Sequence, residues 1–161
     1  LMIHAAIAMA KPGDVLVIDG KGDLGAALMG TIMMSACKKL GIAGVVIDGA
    51  VRDSLEIDEM DYPVFACGTN PNGPTKNIAG RIGHPVSLGG VTVRSGDLIV
   101  ADADGVVALE RERVEALLPL ARKKVEDEAA RIAAIQQGKT AAPWLEGALR
   151  TAGVLKEGES L

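Results

Sequence analysis

The 161-residue chain is 48% apolar, enough for a single domain with a substantial core, and one core is expected across residues 1–161. Its 17 basic and 21 acidic residues leave a net charge of −4 with no long basic cluster, and three aromatic residues (Tyr62, Phe65 and Trp144) offer no stacking platform for bases. These features argue against nucleic-acid binding. No apolar run reaches the roughly 18 residues of a membrane span and no basic segment opens a signal peptide, so a soluble cytoplasmic protein with no membrane partner is expected.

Residues 2–10 have helical character and stop at Lys11-Pro12-Gly13. The opening LMIHAAIAMA has no cap and looks like the middle of a helix, so a natural N-terminal segment is expected to precede it. Val15–Ile18 is a continuous β-branched run, as in a strand covered on both faces. A helix is expected from about Ala26 to Leu40, with Leu28, Ile32, Met33, Cys37 and Leu40 near one face and Gly41 closing it. Gly44–Ile47 reads as a second buried strand, making a β-α-β unit with a right-handed crossover and parallel strands.

Tyr62–Cys67 reads as a third strand, followed by the Gly-, Pro- and Asn-rich loop GTNPNGPTKNIAG. The stretch HPVSLGGVTVRSGDLIVADADGVVAL alternates around glycine turns, which is β-hairpin chemistry. Residues 110–136 form a long helix with i,i+4 charge pairs such as Lys123 with Asp127, and a short helix near Pro143–Thr151 carries Trp144 and Leu145. The C-terminal helical part thus covers residues 110–151. Cys37 and Cys67 have no ligand-spaced neighbours and are expected to be buried free thiols in a reducing compartment.

Gly20, Gly22 and Gly25 follow a strand in the order G-x-G-x-x-G, and Asp48 ends the next strand where a ribose-binding acid would stand. This is the pattern of a dinucleotide or methyl-donor site. Gly30 weighs against it, because a glycine one turn inside the helix costs about 1 kcal/mol without serving a pyrophosphate turn. A helix that begins near Gly30 would instead present the N–H groups of Gly30, Thr31, Ile32 and Met33 to a carboxylate or phosphate. The alternative is that Gly30 only permits close packing.

After the second strand, Arg52 and Asp53 stand side by side with Glu56 beyond them. Ligands of open α/β sheets collect at the carboxyl ends of strands, where an Arg fork binds a carboxylate and an Asp holds Mg²⁺ with waters. A surface Arg–Asp pair is the competing reading. Lys21 lies in an exposed-looking turn, ill-suited to Schiff-base chemistry. His4 reads as a packing residue on an apolar helix, His84 as a turn residue, and Asp102 and Asp104 as a tight turn with Asx-type hydrogen bonds before Gly105.

The segments GDVLVIDGKGDLGAALMG, GIAGVVIDGAVRDSLEI, GGVTVRSGD and ADADGVV, in that order, resemble the RraA-like family over about residues 1–136. That family includes the regulator of ribonuclease E activity A and the class II 4-hydroxy-4-methyl-2-oxoglutarate / 4-carboxy-4-hydroxy-2-oxoadipate aldolases. The resemblance implies an α/β fold of the swivelling β/β/α type, assembled as a homotrimer or homohexamer with active sites at subunit boundaries. It also implies Mg²⁺ or Mn²⁺ held at Asp53, and a pyruvyl group gripped by Arg52 and the backbone of Gly30, Thr31, Ile32 and Met33. Retro-aldol cleavage of a small oxo acid, releasing pyruvate, would be the reaction, with oxaloacetate decarboxylation beside it. Glu56 would act as an acid reaching the metal through water. The family's aldolases usually carry a polar or acidic residue after the glycine of their G-x-x-L element. Here Thr31 and Met33 stand in that element, which leaves the source of the general base open. A non-catalytic regulator that docks on a ribonuclease is the alternative from a different class, and an S-adenosylmethionine-dependent methyltransferase is a third.

Overall fold

The central strand of the main sheet carries a nearly unbroken apolar run because both of its faces are covered, and the strands on either side of it are only partly buried. In the computed structural model, which describes residues 1–156 and 158–161, β1 (Val15–Met29), β2 (Gly44–Val51) and β3 (Val64–Thr69) form a parallel sheet in the order β1-β2-β3. β2 is central and all but Asp48 of its residues are buried, matching its unbroken apolar run. Helices α1 (Met2–Met9), α2 (Thr31–Lys39) and α3 (Ser54–Glu59) accompany the sheet, and Ile7, Met34, Cys37 and Ile57 pack from them onto Met29, Val45 and Ile47. The Lys38 ammonium reaches the Met60 carbonyl and ties the end of α2 to the end of α3.

Two antiparallel hairpins follow, as the alternation predicts: β4 (Val86–Leu88) with β5 (Val91–Val93), and β6 (Leu98–Asp102) with β7 (Gly105–Leu109). At the second turn the Asp104 N–H donates to Asp102 Oδ1 (2.9 Å), so this pair caps a turn as expected. After a 3-10 turn at Arg111–Arg113 come α4 (Val114–Gln136) and α5 (Leu145–Thr151). The chain divides into two compact units, Leu1–Val114 and Glu115–Leu161. No helix among the described residues is long and apolar enough to cross a membrane.

Several expectations need correction. The helix expected from Ala26 begins at Thr31, because β1 continues through the glycine-rich segment to Met29. It does so irregularly: between the pairs Ile18/Ile47 and Asp23/Gly49, β1 advances five positions while β2 advances two. The surplus residues bulge outward with Lys21 and Gly22 at φ of 61° and 67°. Gly20, Gly22 and Gly25 therefore do not make the strand-turn-helix cradle of a dinucleotide site. A Cβ on Gly20 would lie 2.5 Å from the Asp48 carbonyl oxygen, so that glycine serves close strand contact.

Cys37 is buried as expected, but Cys67 is exposed, because β3 is an edge strand with one side uncovered. His4 is exposed rather than packed: the apolar positions of α1 that meet the core are Ile3 and Ile7, and His4 falls off that stripe. His84 is exposed in a bend, in keeping with a turn residue.

Candidate active site

Register builds the site. Met29 pairs with Val51, and Val51 pairs with Thr69, so the three parallel strands end level with one another. The residues that follow them emerge at one edge: Gly30 after β1, Arg52 and Asp53 after β2, and Asn70 to Gly73 after β3. Ladder-like bonds continue past the strand ends, from the Arg52 N–H to the Met29 carbonyl (3.0 Å) and from the Asn70 N–H to the Val51 carbonyl (2.9 Å). Ligand sites of open parallel sheets form at this edge.

Asp53 is held in the left-handed region at φ 58°, ψ 42°, a conformation that costs a non-glycine residue about 1–2 kcal/mol. It turns the carboxylate back toward the start of α2, where Oδ2 accepts the Thr31 N–H at 3.0 Å. The Arg52 Nε lies 3.7 Å from the same oxygen, and both side chains are a little over one third exposed. Oδ1 has no hydrogen bond among the described residues. Gly30 makes the arrangement possible: a Cβ there would fall 2.5 Å from Asp53 Oδ2 and 2.8 Å from Arg52 Cγ. Its own φ of −150° is extended backbone open to any residue, so space rather than conformation requires glycine.

Of the four amides expected to be free, two are engaged. The Thr31 N–H is taken by Asp53, and the Met33 N–H bonds the Gly30 carbonyl at 3.0 Å in the first turn of α2. Gly30 and Ile32 keep N–H groups without a partner among the described residues. Ile32 projects an 82% exposed side chain beside them, and Leu55 a 78% exposed one at the start of α3. The Thr31 hydroxyl is buried with no hydrogen-bond partner. Glu56 lies in the first turn of α3, exposed and with neither hydrogen bond nor ion pair among the described residues.

The loop after β3 contributes residues that sequence reasoning passed over. The Asn70 side chain donates to the Leu24 carbonyl (2.7 Å) and accepts the Asn72 N–H (2.8 Å), while the Asn72 carbonyl accepts the Ala27 N–H (2.8 Å). This stitches the loop to β1 and brings Gly73 beside the Arg52 guanidinium, with Nη1 3.8 Å from where a Cβ would stand. The signal was the pair of asparagines beside glycine, residues that cap and turn through their own side chains. A separate cavity of about 470 Å³ lies between α3 and β3, lined in part by Ser54, Asp58, Tyr62 and Thr69, and contains none of Gly30, Arg52 or Asp53.

Lys21 is confirmed as exposed, at 80%, with its ammonium 2.6 Å from Asp19. That hydrogen bond holds the Asp19 carboxyl below its ordinary range.

The family model for "RraA-like: Aldolase/RraA" matches residues 1–108. A protein of Halalkalibacterium halodurans named "Putative 4-hydroxy-4-methyl-2-oxoglutarate aldolase" is 44% identical over 84% of this chain, and the chain spans 64% of that relative's length. Among solved structures, the Geobacillus kaustophilus protein described as S-adenosylmethionine:2-dimethylmenaquinone methyltransferase is 40% identical with a TM-score of 0.65, covering 67% of each chain. The RNA-processing inhibitor RraA from Thermus thermophilus is 33% identical with a TM-score of 0.61, covering 66% of each. The matched segment contains β1, the Gly30 helix start, the Arg52–Asp53 pair, the first hairpin and all but the last residue of the second, and on that ground the chain belongs to the RraA-like family.

Proposed function

We propose that the chain is a divalent-metal-dependent lyase that cleaves a 4-hydroxy-2-oxo acid by a retro-aldol reaction and releases pyruvate, with oxaloacetate decarboxylation as a related activity. The observation that carries this reading is the divided role of Asp53: one carboxylate oxygen bonds the Thr31 amide at 3.0 Å while the other is left without a protein partner. Among the described residues there is no group of three or more acidic, His or Cys ligands. A lone carboxylate suits Mg²⁺ or Mn²⁺, which retain several waters and bind through one or two carboxylates plus substrate oxygens. Asp53 would hold such a cation, and the cation would supply Lewis-acid stabilisation of the enolate charge.

The remaining work falls to this chain's own groups. Arg52 offers two guanidinium nitrogens to the substrate carboxylate, a pairing of fixed geometry that orients the oxo acid. The N–H groups of Gly30 and Ile32 donate to a substrate oxygen at the same edge. Glu56 acts through water as the remaining acid of the R-D-x-x-E element. Ile32 and Leu55, exposed beside polar groups, suit burial against a neighbouring subunit, which supports a homotrimeric or homohexameric assembly.

The test is pyruvate release, followed with a coupled assay on oxaloacetate and 4-hydroxy-4-methyl-2-oxoglutarate, with and without chelator. Asp53→Asn keeps an acceptor for the Thr31 amide but loses the charge. It should lower metal-dependent release by more than about 100-fold while leaving the fold intact. Unchanged release would remove Asp53 from the mechanism.

The likeness to the Thermus RNA-processing inhibitor favours a second reading, a regulator that binds a ribonuclease without catalysis. Retention of a ribonuclease by the immobilised protein, with no pyruvate from either substrate, would support it over the lyase.

A further inference from the structure

The surplus residues of β1 have a use at the site. Between the pairs Asp23/Gly49 and Ala27/Ala50, β1 advances four positions while β2 advances one, so Leu24, Gly25 and Ala26 stand outside the ladder. The segment loosened by the G-x-G-x-x-G glycines therefore has backbone groups to offer elsewhere, and the loop after β3 takes two of them. The Asn70 side-chain amide donates to the Leu24 carbonyl at 2.7 Å, and the Ala27 N–H donates to the Asn72 carbonyl at 2.8 Å. Asn70 Oδ1 also accepts the Asn72 N–H at 2.8 Å, so the same side chain folds the loop and ties it down. The chain from Asn70 to Gly73 thus passes from β3 toward β1 across the end of β2, where Arg52 leaves the sheet.

Arg52 has little else to orient it. Its ion pair with Asp53 spans 3.7 Å between side chains about one third exposed, and such pairs restrain a long side chain weakly. Gly30 lies against its stem, where a Cβ would stand 2.8 Å from Cγ and 3.0 Å from Nε, and Gly73 lies beside its end, where a Cβ would stand 3.8 Å from Nη1. We propose that Asn70 is a positioning residue for Arg52: by tying the loop to β1 it sets Gly73 against the guanidinium and holds that group toward a substrate carboxylate. The inference rests on the reading of Arg52 as the group that grips this carboxylate. Asn70 uses both ends of its amide within the protein, so it acts through Arg52 and not on the substrate. A guanidinium ordered before the ligand arrives has less rotamer freedom to lose on binding.

Nitrogen-15 relaxation of the Arg52 Nε–Hε group in the whole chain tests this without substrate. The parent should show a restrained group, and Asn70→Ala should release it while the amide resonances of Val45–Ala50 stay in place and report an intact sheet. Asn70→Ser is the second variant: its hydroxyl can accept the Asn72 N–H but is too short to reach the Leu24 carbonyl, so the loop keeps its turn and loses its tie. It should release Arg52 as Asn70→Ala does. In the pyruvate assay both variants should raise KM for the oxo acid about tenfold, because a freed arginine must be ordered on binding, with kcat changed by less than about threefold. An Nε group as restrained in both variants as in the parent overturns the proposal, as does a fall in kcat at unchanged KM. The relaxation measurement decides the role of Asn70 even in a chain that releases no pyruvate, a result that would overturn the lyase reading alone.

Discussion

Asp53 and Gly30 work as a pair in which one residue supplies a strained backbone and the other an absent methyl. Asp53 tolerates φ 58° because its carboxylate gains the Thr31 amide and the neighbouring Arg52 guanidinium. Sequence reasoning found both residues, since Arg-Asp after an apolar strand and a glycine at a helix start are local signals. It could not find that Asp53 consumes one of the amides assigned to the ligand, because that bond joins residues 22 apart.

Tyr62 is a second residue whose environment sets a measurable property. Its hydroxyl is buried without a hydrogen-bond partner. Burial, followed by the nearby Cys37 thiol, pushes its pKa from 10.0 up to about 12. The unfolded chain ionises first, so the folded state binds more protons between those values. The contribution of Tyr62 to stability is therefore complete below pH 10, and it is lost as the pH rises through about 12. As the only tyrosine, it can be followed directly by phenolate absorbance, which should develop near pH 12. A midpoint at the ordinary value would contradict this, and Tyr62→Phe should remove the matching alkaline component of the melting curve.

At the scale of elements, β1 shows how local signals mislead. Gly20-Lys21-Gly22 has the composition of a turn, and two of its residues adopt positive φ, yet the flanking residues keep pairing with β2. A bulge inside a strand and a turn that ends one use the same residue types, and only the partner strand distinguishes them. β2 was easier to recognise because its apolar run is unbroken on either side of Asp48, although it extends to Val51 rather than stopping at Ile47. The hairpins were legible for the same reason, their alternation being a property of each strand alone. The close contact at the bulge predicts that Gly20→Ala lowers stability by about 1–3 kcal/mol, because the new methyl meets the Asp48 carbonyl and Leu28. Urea denaturation measures this; a loss within experimental error would show that β1 and β2 can separate there at no cost.

At the scale of the whole molecule, the protection of backbone amides should divide by burial. The amides of Val45–Ala50 in β2 lie in the core and should exchange only through global unfolding. Those of α4, which has no buried residue, should exchange sooner. Hydrogen exchange followed segment by segment reads both, and equal protection in the two segments would refute the division.

The bond between Asp53 and the Thr31 amide also gives the site a built-in gauge. A cation drawn to the unpartnered oxygen would pull electron density away from the oxygen that receives the amide proton. The first peptide of α2 would register occupancy as a change in its own hydrogen bond. The resonance of one backbone nitrogen, in protein enriched in nitrogen-15, would then serve as an occupancy meter for the site, with no substrate required.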